Sequence, residues 1–164
     1  MSRISFVLMA CFLFAAASEA RVRMTDDVRS LGEGSYLLIE DPLLIRKGTT
    51  SLRAMRSRAK ADRQGRVLGP SCDIRLSKAQ GYDIFKKNLM LKAGTKLYLR
   101  SDGVDLALVT EDQSLRIPLD CRHMVRQKKG LVATSRFTIR QFSSVFSFVG
   151  TLYMVPPDRK MAER

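Results

Sequence analysis

The 164-residue sequence has no tryptophan, one histidine (His123), three cysteines, and only 16 acidic residues against 29 lysines and arginines. Each shortage excludes something. One histidine, with cysteines far from one another, does not supply the three or four closely spaced ligands of a zinc site. The carboxylates do not gather either: Asp102 and Asp105 flank a turn, Glu111 and Asp112 lie in a connection, and Glu40 and Asp41 precede Pro42. Such positions form turns, and nothing points to the paired carboxylates of a glycosidase. No phosphate-cradling glycine loop, nucleophile elbow or calcium loop is present. The one catalytic pairing that spacing allows is Cys121 with His123, two residues apart and on one face of a strand, as nucleophile and base. An exported cysteine in that setting reads instead as half of a disulfide. The expectation is therefore no catalytic residue, no metal and no cofactor.

Long hydrophobic runs are also missing. The longest, Ile4 to Ala17, has 14 residues, short of the roughly 18 to 20 that span a bilayer as a helix. Arg3 precedes it, and Ala15, Ala17, Ser18 and Ala20 supply small residues at its end, which is the anatomy of a secretory signal peptide over residues 1–20. The rival readings are an uncleaved anchor, or a lipoprotein-like box Leu8 to Cys11 with Cys11 acylated. Removal of residues 1–20 takes away one base (Arg3) and one acid (Glu19), so the net charge stays at +13. Two cysteines remain, Cys72 and Cys121, and an even pair in an exported chain predicts a disulfide.

What is abundant is strand pattern. From Thr95 to Cys121 the chain alternates apolar and polar residues through three segments, with Leu97 and Leu99, then Val104, Leu106 and Leu108, then Leu115, Ile117 and Leu119 in phase. Asp102-Gly103 supplies a tight hairpin turn, and Glu111 to Ser114 a polar link. Cys121 continues the phase of Leu119, which directs its sulfur to the core. This meander, with some eight to ten short strands at close intervals, predicts an all-β fold, a small antiparallel barrel or sandwich with at most one short helix. Residues 21–34 read as an extended or frayed arm. Residues 35–156 read as a single β-domain, and 157–164 as a polar tail. Ser35 to Arg46 divides into two strands around Pro42, Gly69-Pro70 reads as a turn, and Leu131 to Thr134 is ambiguous. Val145 to Val155 reads as a central strand covered on both faces, with a bend or bulge at Gly150. Pro42 and Pro118 suggest strands near a sheet edge.

Within the domain, residues 47–66 form a basic insertion. Arg46, Lys47, Arg53, Arg56, Arg58, Lys60, Arg63 and Arg66 face the single acid Asp62. Leu52, Met55 and Ala59 fall at helical spacing, so the segment reads as a short basic helix or as a loop; connections this long and polar are functional or disordered. Arg122, Arg126, Lys128 and Lys129 add a second basic cluster after Cys121. With 19 arginines to 10 lysines, the charge favours phosphate and carboxylate recognition, since the guanidinium fork matches both. The expected partner is an anionic envelope or extracellular polymer, a membrane surface, or an acidic protein. Nucleic acid is not favoured, because only Tyr98 lies beside outward-facing bases, Lys96 and Arg100, and one ring is a poor stacking platform. The alternative is a protein-interaction module, an inhibitor, adaptor or assembly factor, acting through a sheet edge or the 47–66 loop.

Overall fold

The computed structural model describes residues 21–156, apart from Ser57, Gly65, Val104, Lys129 and Ser135. The expected signal peptide (1–20), with Cys11, and the polar tail from 157 onward lie outside the described residues. Among these residues ten strands run in chain order as β1 (Tyr36–Ile39), β2 (Leu43–Ile45), β3 (Leu52–Met55), β4 (Gly69–Ile74), β5 (Leu89–Leu91), β6 (Lys96–Asp102), β7 (Asp105–Thr110), β8 (Arg116–Gln127), β9 (Gly130–Thr134) and β10 (Gly150–Tyr153). Among the described residues one α-helix, α1 (Ile139–Phe146), interrupts them. The main antiparallel sheet has the order β10-β1-β6-β7-β8-β4-β3, with β9 also on β8, and it curls into a half-barrel; β2 and β5 form a separate two-stranded ribbon. The all-β class is as the alternation predicts.

The meander β6-β7-β8 occupies the middle of the sheet. Asp102 pairs with Asp105 across a two-residue turn in which Gly103 takes φ 60°, the left-handed conformation a tight hairpin demands. The polar link is held by Asp112, whose carboxylate accepts from the Thr110 hydroxyl at 2.6 Å and the Ser114 hydroxyl at 2.8 Å. β8 is the spine. Its first residues pair with β7, its last with β9, and β4 lies along its other side, so Leu119 and Met124 each have a partner on both sides. Pro118 therefore marks no sheet edge. Its carbonyl accepts from Arg75 N–H just beyond the end of β4, where the donor that proline lacks has no ladder to join. Pro70 likewise is a strand residue, paired with His123 in β8 beyond the end of β3. Leu131–Thr134 resolves as β9.

The largest departure is from the central strand expected over Val145–Val155, where a helix and a short outer strand stand instead. Thr138 accepts from Gln141 N–H, and Gln141 Oε1 accepts from Thr138 N–H at 2.8 Å, a reciprocal capping box that starts α1. Ile139, Phe142, Val145 and Phe146 are all fully buried, and they fall on one helical stripe, each worth about 2 kcal/mol of gross burial. Phe142 and Phe146 stack at 4.4 Å between centroids. The helix packs on β3, β4 and β10, the two ends of the curled sheet, and so closes the half-barrel's opening. The strand after the helix, β10, pairs only with β1 and is an outer strand rather than a central one. Gly150 begins it because the backbones meet there: a Cβ at this position would lie 1.7 Å from Leu38 O.

The segment 21–34 is docked, not frayed. Val28 is 1% exposed and belongs to the core. Its N–H donates to Phe137 O, while Ile139 N–H and Arg140 N–H donate to Asp26 O and Met24 O. Asp27 caps the short 3-10 turn Val28–Ser30 by accepting from Arg29 N–H.

Candidate functional site

The two cysteines meet as predicted. Cys72 and Cys121 are register partners on β4 and β8, bonded to each other with Cα atoms 4.0 Å apart. Cys72 is fully buried. The Cys121 sulfur is thus not a thiol beside His123, whose Nδ1 lies 2.8 Å from Gln141 Nε2.

The disulfide lies within a charge ladder that runs across β3, β4 and β8. Arg53 pairs in register with Asp73, and Asp73 with Asp120. Arg53 Nε donates to Asp73 at 2.6 Å, and that hydrogen bond, reinforced by the carboxylate's charge, raises the guanidinium's pKa further above its ordinary value. Asp120 accepts from Arg122 Nε at 2.8 Å and Nη2 at 2.6 Å, and from Arg75 Nη2, which shares Oδ2 with the Arg122 Nη2. The Arg122 hydrogen bonds lower the Asp120 pKa against the opposing effect of burial, and Arg75 adds to the lowering. Arg53 and Arg122, both expected to bind anions, are therefore already engaged with acids of their own chain. Arg66 is too: its Nε donates to Asp62 at 2.8 Å, closing a turn in which Asp62 also accepts from Gln64 N–H and Arg66 N–H.

The remaining predicted cations divide between two ends of β3. Arg46 and Lys47 follow β2, at the end of the ribbon. Arg56, Arg58, Lys60 and Arg63 follow β3, and no carboxylate among the described residues pairs with them. The 56–68 segment is neither helix nor featureless loop: Ala61 bridges to Val67, Val67 is 3% exposed, and Leu68 N–H donates to Lys60 O. This pins a narrow excursion on which Arg56, Arg58, Lys60, Arg63 and Gln64 are exposed. Because β3 runs antiparallel to β4 and β4 to β8, the segment leaves and re-enters the sheet opposite Arg122–Met124. The β8–β9 hairpin, with exposed Arg126 and Lys128, projects from the same end. Lys129 lies outside the described residues. Arg56, Arg58 and Ala59 line a hollow of about 460 Å³ floored by Leu68, Gly69 and Pro70.

Two features escape sequence reading because they depend on register. Arg29, Arg75, Lys78 and Arg116 line a groove of about 490 Å³ beside Asp105 and Asp120. Tyr98 does not stand alone, since Tyr36 pairs with it on β6 and with Tyr153 on β10. The Tyr36 ring stacks on Tyr153 at 5.0 Å, tilts against Tyr98 at 5.6 Å, and carries Lys96 Nζ 5.3 Å from its centroid. Tyr36 is thus held between its two cross-strand neighbours, which ties β10-β1-β6 together as cross-strand aromatic pairs do.

No family model, curated protein or solved structure matches the chain. Among the described residues no helix is long and apolar enough to cross a membrane.

Proposed function

We propose that this chain is an exported, non-enzymatic β-domain that binds an anionic envelope or extracellular polymer through the basic end of its sheet. The observation that carries the reading is the convergence of two basic segments, 56–66 and 126–128, at one sheet end. Of these cations, Arg56, Arg58, Lys60 and Arg63 have no acid partner among the described residues. Unpaired guanidiniums held on a pinned backbone can exchange water for phosphate, sulfate or carboxylate with little loss of order. Secretion is supported by the leader-like sequence of residues 1–20 and by the disulfide, a crosslink that persists in oxidising compartments.

The test is retention on immobilised heparin. Replacing Arg56, Arg58, Lys60 and Arg63 together by Gln should abolish most of it, and added salt should elute the native protein steeply. Replacing Arg53, already committed to Asp73, should change it little. Unchanged retention of the fourfold variant would sink the reading. The second reading, an interaction module, is favoured by β9, which pairs with β8 alone and has a second edge that can accept a further strand. A partner captured in high salt would select it.

A further inference from the structure

The ribbon β2–β5 presents a second surface, unrelated to the basic end of the main sheet. Its alternation turns Ile45 and Leu91 into the core and leaves Leu44 and Met90, register partners, 49% and 50% exposed. The connection that leads into β5 carries Phe85, which at 76% is the most exposed large apolar side chain among the described residues. That exposure belongs to an anchored loop. Ile84 is 5% exposed and its carbonyl accepts from Gly48 N–H at 2.6 Å; Asn88 Oδ1 accepts from Lys47 N–H at 2.8 Å; Tyr82 Oη donates to Lys87 O at 2.7 Å. The turn after β2 and the loop before β5 are thereby tied into one tip. In residues 43–50 and 82–92 there are five bases, Arg46, Lys47, Lys86, Lys87 and Lys92, and one acid, Asp83, which Lys86 engages at 3.3 Å.

We propose that this tip docks on an anionic lipid bilayer, with Phe85, Leu44 and Met90 entering the boundary between headgroups and acyl chains while Arg46, Lys47 and Lys87 meet lipid phosphates. A soluble polyanion would satisfy the cations and leave three large apolar side chains in water. A bilayer surface takes both, since apolar insertion and attraction to anionic headgroups add in interfacial binding. It also demands no matching shape, which suits a projecting loop. The site is independent of the polymer-binding reading, as it uses none of residues 56–66.

The experiment is co-sedimentation of the full mature chain with vesicles of phosphatidylcholine containing phosphatidylglycerol, against phosphatidylcholine alone. Binding should require the anionic lipid and weaken with salt. Phe85→Ser should lower the partition coefficient about tenfold, and Lys47→Gln with Lys87→Gln about fivefold per charge. All these side chains are exposed, so the variants should keep the native melting temperature. As the chain has no tryptophan, a Phe85→Trp variant provides a sole indole. Its emission should shift to the blue and resist an aqueous quencher when anionic vesicles are added. Phe85→Ser should leave heparin retention intact, while the fourfold Gln variant at 56–63 should keep its vesicle binding. The proposal is overturned if the native protein ignores anionic vesicles at low salt, or if Phe85→Ser binds them as well as native. It is overturned equally if Phe85 governs retention on an acidic protein while vesicle binding is absent.

Discussion

Replacing Asp120 by Asn tests whether the charge ladder, rather than mere proximity, holds Arg75 and Arg122. The Asp120 side chain is 23% exposed and serves both guanidiniums, which are 37% and 56% exposed. Charge-assisted hydrogen bonds are worth about 1.5–3 kcal/mol when shielded, but solvent at these guanidiniums brings each pair toward the exposed-pair value below about 1 kcal/mol. The variant should therefore lose about 1–2 kcal/mol, which for a domain of this size lowers the melting temperature by about 5 °C. Its pH dependence is the sharper measure. The folded-state pKa of Asp120 is lowered by the Arg122 hydrogen bonds, so the native carboxylate contributes fully above the unfolded value near 3.9. That contribution is lost as pH falls through the lower folded value. Thermal melts of native and Asp120→Asn proteins should differ constantly from neutral pH to about pH 5, then converge in stronger acid as the native carboxylate takes up its proton. A difference that persists at the acid end would refute the electrostatic account and assign the loss to packing. The same variant frees Arg122 beside the β8–β9 hairpin and should elute from heparin at higher salt than native.

Two further outcomes rest on the core. Phe142→Ala removes a fully buried ring stacked on Phe146 and should cost about 3–5 kcal/mol, read from the urea midpoint; a change below about 1 kcal/mol would mean that α1 does not seal the half-barrel. Removing the crosslink with Cys72→Ala and Cys121→Ala should cost up to about 4 kcal/mol by chain entropy for the 49-residue separation. Thiol titration of the folded native protein should find neither sulfur free, and a titratable Cys121 would return the Cys121–His123 pair to consideration.

Much of the sheet was legible in local pattern. Period-two alternation, Asp102-Gly103 and the polar link before Leu115 define β6, β7 and β8 without reference to the rest of the chain, since alternation and turn chemistry are properties of adjacent residues. The in-phase position of Cys121 likewise anticipated the disulfide. The helix was written in the sequence too, as Thr138 followed three residues later by Gln141, but the apolar run after it fits strand and helix equally. The space between β10 and the β3–β4 edge decided the matter, because a four-residue apolar stripe on one helix face fills that opening. The sequence could not tell that Arg53 and Arg75 are engaged, since they find Asp73 and Asp120 only through the β3-β4-β8 register; Arg122, two residues from Asp120 on one face of β8, is a local pair.

By itself, then, the sequence determined the all-β class, the meander, the disulfide pair and the excess of positive charge, all of which rest on composition or near-neighbour pattern. Tertiary structure alone decided how that charge is partitioned. It set Arg53 on Asp73 and Arg75 on Asp120, gathered 56–63 with the β8–β9 hairpin, and brought Arg46 and Lys47 to the ribbon tip with Phe85. These two pairs and the surface patches form between residues that strand register brings together across tens of positions, and no local pattern encodes that register.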